Sequence, residues 1–259
     1  MRRLCRQLPV LLFLLPAVVH AQHPLTSPFL VNVPDGSLQL LPNVAASASG
    51  DFVVTWIEEN VGQDHSTLRA RRFSAGGAPV TGEILVSGQT FFQHPAVGMR
   101  EDGSFVVGFV TDSGLTVRLY GPDGALLHES LAFAIGQFPT LATRPDGTFL
   151  LAWHRDGAIF ARVFGADGAP LGPERGIGPA EIAMGPQAAA GPDRGFVVIW
   201  SRVRPIPTSH FSQLTILAQR LGPAGAPRGK AITVQEEPPN VSASAPDVAE
   251  DAAGNFLVA

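Results

Sequence analysis

The stretch Pro139-Thr-Leu-Ala-Thr-Arg-Pro-Asp-Gly-Thr-Phe149-Leu-Leu-Ala-Trp153 decides the fold, because the chain repeats its pattern. A proline, a few small residues, a polar turn with glycine, then Phe and an apolar run also begin at Pro42, Pro95, Pro186 and Pro246. The matching phenylalanines are Phe52, Phe105, Phe149, Phe196 and Phe256, each ten residues after its proline. In the four complete copies an aromatic residue follows four positions later, at Trp56, Phe109, Trp153 and Trp200. A fixed offset in every copy marks a structural repeat, and a period near 50 residues is that of stacked sheet units.

Each copy has a second half. Segments ending at Phe73, Tyr120, Phe164 and Leu221 run into glycine-containing turns, and a short apolar stretch such as Glu83-Ile84-Leu85-Val86 follows. The phenylalanines are spaced 53, 44, 47 and 60 residues apart. The extra length falls mainly between the aromatic-ended strand and its successor, where a loop can absorb it.

Every copy therefore reads as four short antiparallel strands. The first is built of small residues, as in Pro95-Ala96-Val97-Gly98, which suits a crowded central channel. The second, as in Phe105-Val106-Val107-Gly108-Phe109, is apolar on both faces, as a strand packed between two sheets must be. The third alternates, with Arg71, Arg118, Arg162 and Gln219 on one face and Ala70, Val117, Ala161 and Ala218 on the other, so it is half-buried. The fourth is expected to be short and irregular. Four-stranded antiparallel units at this period predict an all-β chain, a β-propeller of four complete blades plus a partial fifth. The expected divisions are repeats at 42–94, 95–138, 139–185 and 186–245, with a partial repeat at 246–259. Within the N-terminal segment 22–41, Phe29-Leu30-Val31-Asn32-Val33 resembles the fourth strand of a preceding unit. The chain stops inside the second strand of copy five, which predicts a longer protein with six or more blades.

The pair of segments 145–153 and 159–172 resembles the tandem repeats of large exported bacterial proteins expected to fold as β-propellers. The resemblance spans residues 42–259 and implies architecture; it implies no activity. Sialidase-type propellers need Ser-x-Asp-x-Gly-x-x-Trp, which the Asp-Gly-x-Phe turns here do not supply. Calcium-binding blades need several acids in one loop, whereas Glu101-Asp102-Gly103 and Asp146-Gly147 offer one or two. Those turns read as ordinary hairpin chemistry.

The first 21 residues read as a secretory signal peptide. Arg2, Arg3 and Arg6 precede a short apolar run over residues 8–19, and Val19-His20-Ala21 offers a cleavage site after Ala21. The run is too short to span a bilayer, so no membrane span is expected, and the destination is secreted or periplasmic. Removal takes the only cysteine, Cys5, and three arginines, moving the formal charge from −4 to −7. A cysteine-free acidic chain has no disulfides or thiol chemistry and no electrostatic drive towards nucleic acid. One lysine, Lys230, among abundant Ala, Gly, Pro and Arg points to a GC-rich bacterial genome.

Scattered histidines (His65, His94, His128, His154, His210) show no metal-ligand spacing, and no phosphate loop, nucleophile elbow or His-Glu-x-x-His occurs, so neither a metal nor a cofactor is expected. Propeller glycosidases place carboxylates on the innermost strands, where an acid and a base or nucleophile converge. Here Asn43-Val44-Ala45-Ala46, Ala96-Val97-Gly98, Thr140-Leu141-Ala142 and Gln187-Ala188-Ala189 carry no acid, and only copy five offers Asp247 and Glu250. The expectation is therefore an exported, monomeric, non-catalytic binding or structural module for an extracellular protein or glycan. Its alternative is a carbohydrate-active propeller enzyme, a hydrolase or lyase, with carboxylates in further blades. Two long loops stand out as candidate interaction sites: one with Glu58, Glu59, Asp64 and His65, the other with Arg202, Arg204, His210 and Phe211.

Overall fold

The computed structural model describes residues 27–59, 66–90, 94–133, 136–179, 185–193, 195–205, 212–236 and 246–259. The expected signal peptide lies outside them. The described residues are strands and turns without helix. Blade 1 holds β1 (Leu38–Ala46), β2 (Phe52–Glu59), β3 (Ser66–Phe73) and β4 (Ile84–Thr90). Blade 2 holds β5 (Ala96–Met99), β6 (Phe105–Thr111), β7 (Gly114–Tyr120) and β8 (Leu126–Phe133). Blade 3 holds β9 (Gln137–Thr143), β10 (Phe149–Arg155), β11 (Ala158–Phe164) and β12 (Arg175–Pro179). Blade 4 holds β13 (Gln187–Ala190), β14 (Phe196–Pro205), β15 (Ser212–Leu221) and β16 (Pro227–Glu236), and blade 5 pairs β17 (Val248–Glu250) with β18 (Phe256–Val258). Each sheet is an antiparallel meander in chain order. The innermost strands β1, β5, β9, β13 and β17 neighbour one another in sequence around the axis, as in a β-propeller.

The repeat motif is a cross-strand pair. The phenylalanine that opens the second strand faces the residue that ends the third: Phe52 with Phe73, Phe105 with Tyr120, Phe149 with Phe164, Phe196 with Leu221. The first three pairs are stacked rings with centroids 5.0–5.1 Å apart. Such aromatic pairs add about 0.5–1.5 kcal/mol beyond their area burial. The turns flanking them carry glycines at φ between +77° and +87°, at Gly50, Gly103, Gly147 and Gly254 after the first strand and Gly77, Gly124, Gly168 and Gly225 after the third. A side chain is strained there, which is why Asp-Gly recurs.

The core lies between blades rather than within one. Val53, Ile57 and Leu68 of blade 1 pack with Phe105, Val107 and Phe109 of blade 2. Val106, Leu115 and Val117 of blade 2 pack with Leu151 and Trp153 of blade 3, and Leu150, Ile159 and Val163 pack with Val198 and Trp200 of blade 4. Val197 and Ile199 continue to Phe256 and Val258 of blade 5. Phe109, Trp153 and Trp200, each four residues after its repeat phenylalanine, thus face the preceding blade, and Trp153 and Trp200 are fully buried.

An arginine crosses every junction on the face that carries the glycine turns. Arg72 donates to Pro122 O of blade 2 at 2.9 Å, and Arg100 to Ala166 O of blade 3 at 2.7 Å. Arg144 lies 4.0 Å above the Phe196 ring of blade 4, and Arg220 bonds Glu250 and Gly254 O of blade 5. Gly103 must be glycine twice over, because a Cβ would come within 2.5 Å of the Arg72 guanidinium.

Two expectations are refined. Phe29 to Val33 is not a strand, yet Phe29 sits against Gly77 as Ile84 of β4 sits against Gly124 and His128 of β8 against Gly168. The segment occupies the fourth-strand place of a preceding blade without making the ladder, tied by Arg71 Nη1 to Val31 O at 3.0 Å. Fourth strands are also longer than expected: β8 has eight residues and the exposed β16 has ten. The register explains this, since an outermost strand pairs on one side and tolerates the bulges seen opposite Ile216 and Ala218.

Replacing Arg100 by Met should keep the stem packing but lose the bond to Ala166 O and the contact over Phe149. We expect about 1.5–3 kcal/mol of destabilisation in urea denaturation. His154 gives a pH signature. Both its ring nitrogens are buried without hydrogen-bond partners, and burial holds its pKa below the ordinary 6.5, with Asp156 opposing. The unfolded chain therefore takes up a proton that the native state resists. Its contribution is complete above pH 6.5 and declines as pH falls below it. His154→Gln should flatten the slope of melting temperature between pH 7 and pH 5 relative to wild type.

Candidate functional site

The residue directly after each repeat proline lies in an innermost strand or, at copy five, immediately before it, and all five such residues face the axis. They are Asn43, Ala96, Thr140, Gln187 and Asp247, and together they line one cavity of about 290 Å3. The following residues, Val44, Val97, Leu141 and Ala188, complete its wall. An outer chamber of about 270 Å3 shares Asn43, Thr140 and Gln187 and is rimmed by His94, Phe138 and the prolines Pro42, Pro139 and Pro186. The two chambers form a polar mouth on the axis, on the side where first strands begin.

The polar side chains are held by one another and by backbone. Asn43 Nδ2 donates to Pro95 O of the next blade at 2.8 Å, and its Oδ1 accepts the Val44 N–H at 2.8 Å. Thr140 Oγ1 lies 3.4 Å from Gln187 Oε1 across the junction of blades 3 and 4. Asp247 is exposed, and its Oδ1 accepts the Val248 N–H at 2.8 Å, leaving Oδ2 for a ligand. A ring of amide, hydroxyl and carboxylate groups from four blades can exchange hydrogen bonds with a polyhydroxylated molecule.

Strain is concentrated at this mouth. Leu41 and Phe138, each just before a repeat proline, adopt φ of +50° and +52°. A proline disfavours helical backbone in its predecessor, and a non-glycine left-handed residue costs about 1–3 kcal/mol. The third such residue, Asp156, sits in the two-residue hairpin Asp156-Gly157, where positive φ is ordinary. The register of β9 against β10 shifts at Phe138, which turns its ring to the rim. Gly185 of the next blade makes room, since a Cβ there would stand 2.6 Å from the Phe138 Cβ.

The residues singled out from the sequence are placed differently. Glu58 and Glu59 close strand β2, and Glu58, buried, is paired with Arg69 and accepts from Ser37 Oγ. Arg202 and Arg204 belong to strand β14 rather than to a loop. The two pairs lie on blades 1 and 4. Asp64, His65, His210 and Phe211 lie outside the described residues. Glu250 turns away from the axis into its bond with Arg220, so Asp247 alone of the two copy-five acids faces the cavity. Sequence reasoning missed Asn43, Thr140 and Gln187 because it searched the first strands for acids. Aligning the five copies on proline would have exposed them, since four of the five residues at that position are polar, against Val, Leu and Ala beside them. Among the described residues no group of three or more His, Cys, Asp or Glu could hold a metal ion, and no helix is long and apolar enough to cross a membrane.

No family model matches the chain, and no curated protein matches it in sequence. Solved structures do. An α-L-arabinofuranosidase of Fusarium graminearum in complex with an iminosugar inhibitor has a TM-score of 0.55 and 11% identity, over 88% of this chain and 77% of that one. The Fusarium α-L-arabinofuranosidase with arabinobiose has a TM-score of 0.53 and 12% identity, over 85% and 74%. An endo-arabinase from Bacteroides thetaiotaomicron has a TM-score of 0.48 and 15% identity, over 88% and 90%. At such identities the two arabinofuranosidases share the fold with this chain. They correct the expectation of a non-catalytic binding or structural module. Both are glycoside hydrolases, whereas the expectation had rested on a single blade, the fifth, being unable to supply a converging set of carboxylates.

Proposed function

We propose that the protein is an exported carbohydrate-active propeller enzyme, a glycoside hydrolase whose sugar enters the axial mouth. One observation carries the reading: the residues after the repeat prolines converge on a single polar cavity with a carboxylate, Asp247, at its wall. The arabinofuranosidase neighbours support it and make α-L-arabinofuranosides the first substrates to test. Export through the segment cleaved after Ala21 belongs to the same proposal, and a polysaccharide-degrading enzyme acts outside the cell on polymers too large to enter.

Hydrolysis breaks the bond between the anomeric carbon and the leaving oxygen, adding water's hydroxyl to the carbon and its proton to the oxygen. Positive charge builds on the anomeric carbon in the transition state. Asp247 is the anion that stabilises that charge. Thr140 and Gln187 orient the sugar through its hydroxyls, and the Phe138 ring at the rim offers an apolar face to its C–H groups. Among the described residues of the two chambers, His94 is the other titratable side chain and the candidate proton donor to the leaving oxygen.

The test is turnover of aryl α-L-arabinofuranosides and arabino-oligosaccharides by the purified protein, with a wider panel of aryl glycosides alongside. Asp247→Asn should lower kcat/KM by about 100-fold or more, the usual loss for a charged catalytic group. Gly185→Ala should raise KM by pushing Phe138 out of place while leaving kcat nearer to wild type. Turnover unchanged in Asp247→Asn, or no turnover of any glycoside by wild type, would sink the assignment.

A further inference from the structure

The junction between blades 1 and 2 is built differently from the next two. At blades 2/3 and 3/4 an indole fills the space, with a glycine laid directly on it. A Cβ on Gly136 would come within 2.9 Å of Trp153, and one on Gly178 within 2.4 Å of Trp200. Trp200 Nε1 further donates to Pro179 O of the preceding blade at 2.9 Å. At blades 1/2 the same repeat position holds Phe109, one ring smaller. Gly88 of β4 has no atom within 4 Å of where a Cβ would stand. A cleft of about 420 Å3 opens there, larger than either axial chamber.

Its walls are chemically furnished. Phe109 lies buried beneath the cleft, and the Arg118 guanidinium lies 5.4 Å above that ring while its Nε is paired with Glu129. Gln89 of β4 projects from blade 1, and Asp112, Ser113 and Thr116 from the β6–β7 hairpin and β7 of blade 2. The Arg118–Glu129 pair is internally neutral and Asp112 leaves one negative charge, so an anion is disfavoured. A guanidinium donates while the carboxylates beside it accept, so the set can serve adjacent hydroxyls of one sugar at once. The volume falls within the about 300–1,000 Å3 usual for small-molecule sites.

We propose that this inter-blade cleft is a second ligand site, for a neutral sugar unit, created by Phe in place of Trp in repeat two. It lies off the axis and does not depend on the assignment of the channel mouth.

The test is NMR titration of the full chain with glucose, xylose, arabinose and their dimers, reading amide shifts of residues 87–89 and 111–118. Saturable shifts are expected there with at least one sugar. Phe109→Trp should abolish them, because the indole closes the cleft as at the neighbouring junctions, and should keep or raise the melting temperature. Asp112→Ala, at an exposed hairpin, should weaken binding by about tenfold or more with the fold intact, the loss for one hydrogen bond to a charged group. Asp247→Asn should leave these shifts unchanged. Shifts confined to the axial residues would overturn this site while favouring the channel. The absence of shifts at 87–89 and 111–118 in wild type, or equal binding by Phe109→Trp, overturns it outright. Should Phe109→Trp not fold, Asp112→Ala decides: undiminished binding refutes the proposal.

Discussion

The packing of one large aromatic side chain against the preceding blade is the interaction on which this molecule rests. No blade has a core of its own, because a single four-stranded sheet is too thin to bury its two apolar faces. Trp153 and Trp200 fill the gap to the blade before and Phe109 packs into it only in part, and burial of such a ring contributes roughly 1.5–3 kcal/mol before entropy is subtracted. The arginines Arg72, Arg100 and Arg220 secure the same junctions at the turn face by donating to backbone carbonyls of the next blade, and Arg144 does so by lying over the Phe196 ring. Stability is therefore a property of neighbouring pairs, as in other repeat proteins.

That arrangement frees the axis for chemistry. Small first-strand residues let five innermost strands approach one another, and the position after each proline then contributes one side chain to a shared cavity. Because the scaffold needs only smallness and extended backbone there, the chemical identity of that side chain can vary. It varies as Asn, Ala, Thr, Gln and Asp. The left-handed backbones of Leu41 and Phe138 lie at the same end, and the junctions hold them against their own preference. Both the mouth and the inter-blade cleft arise where a copy departs from the repeat consensus, not where it obeys it.

Legibility followed the same division. The Pro-to-Phe offset revealed strand number, strand order and the two-faced second strands, because these follow from local periodicity. The stacking of Phe149 on Phe164 was visible as two recurring aromatics but not as one contact. Glu58 and Arg202 looked like loop residues because charge ends an apolar run. In the structure the strands simply continue, with Glu58 neutralised by Arg69 across the ladder. The Phe109 departure from Trp was plain in the sequence, and its consequence, an open cleft, was not.

The sequence by itself determined the blades, since Phe, Gly and Pro act within a few residues of themselves through stacking, positive φ and fixed φ. Tertiary structure alone decided the sites. Asn43, Thr140, Gln187 and Asp247 are separated by dozens of residues and meet only when the blades close around an axis. Likewise the cleft above Phe109 exists only because β4 of the previous blade passes over it without filling it. Convergence is a relation between repeats, and no single repeat contains it.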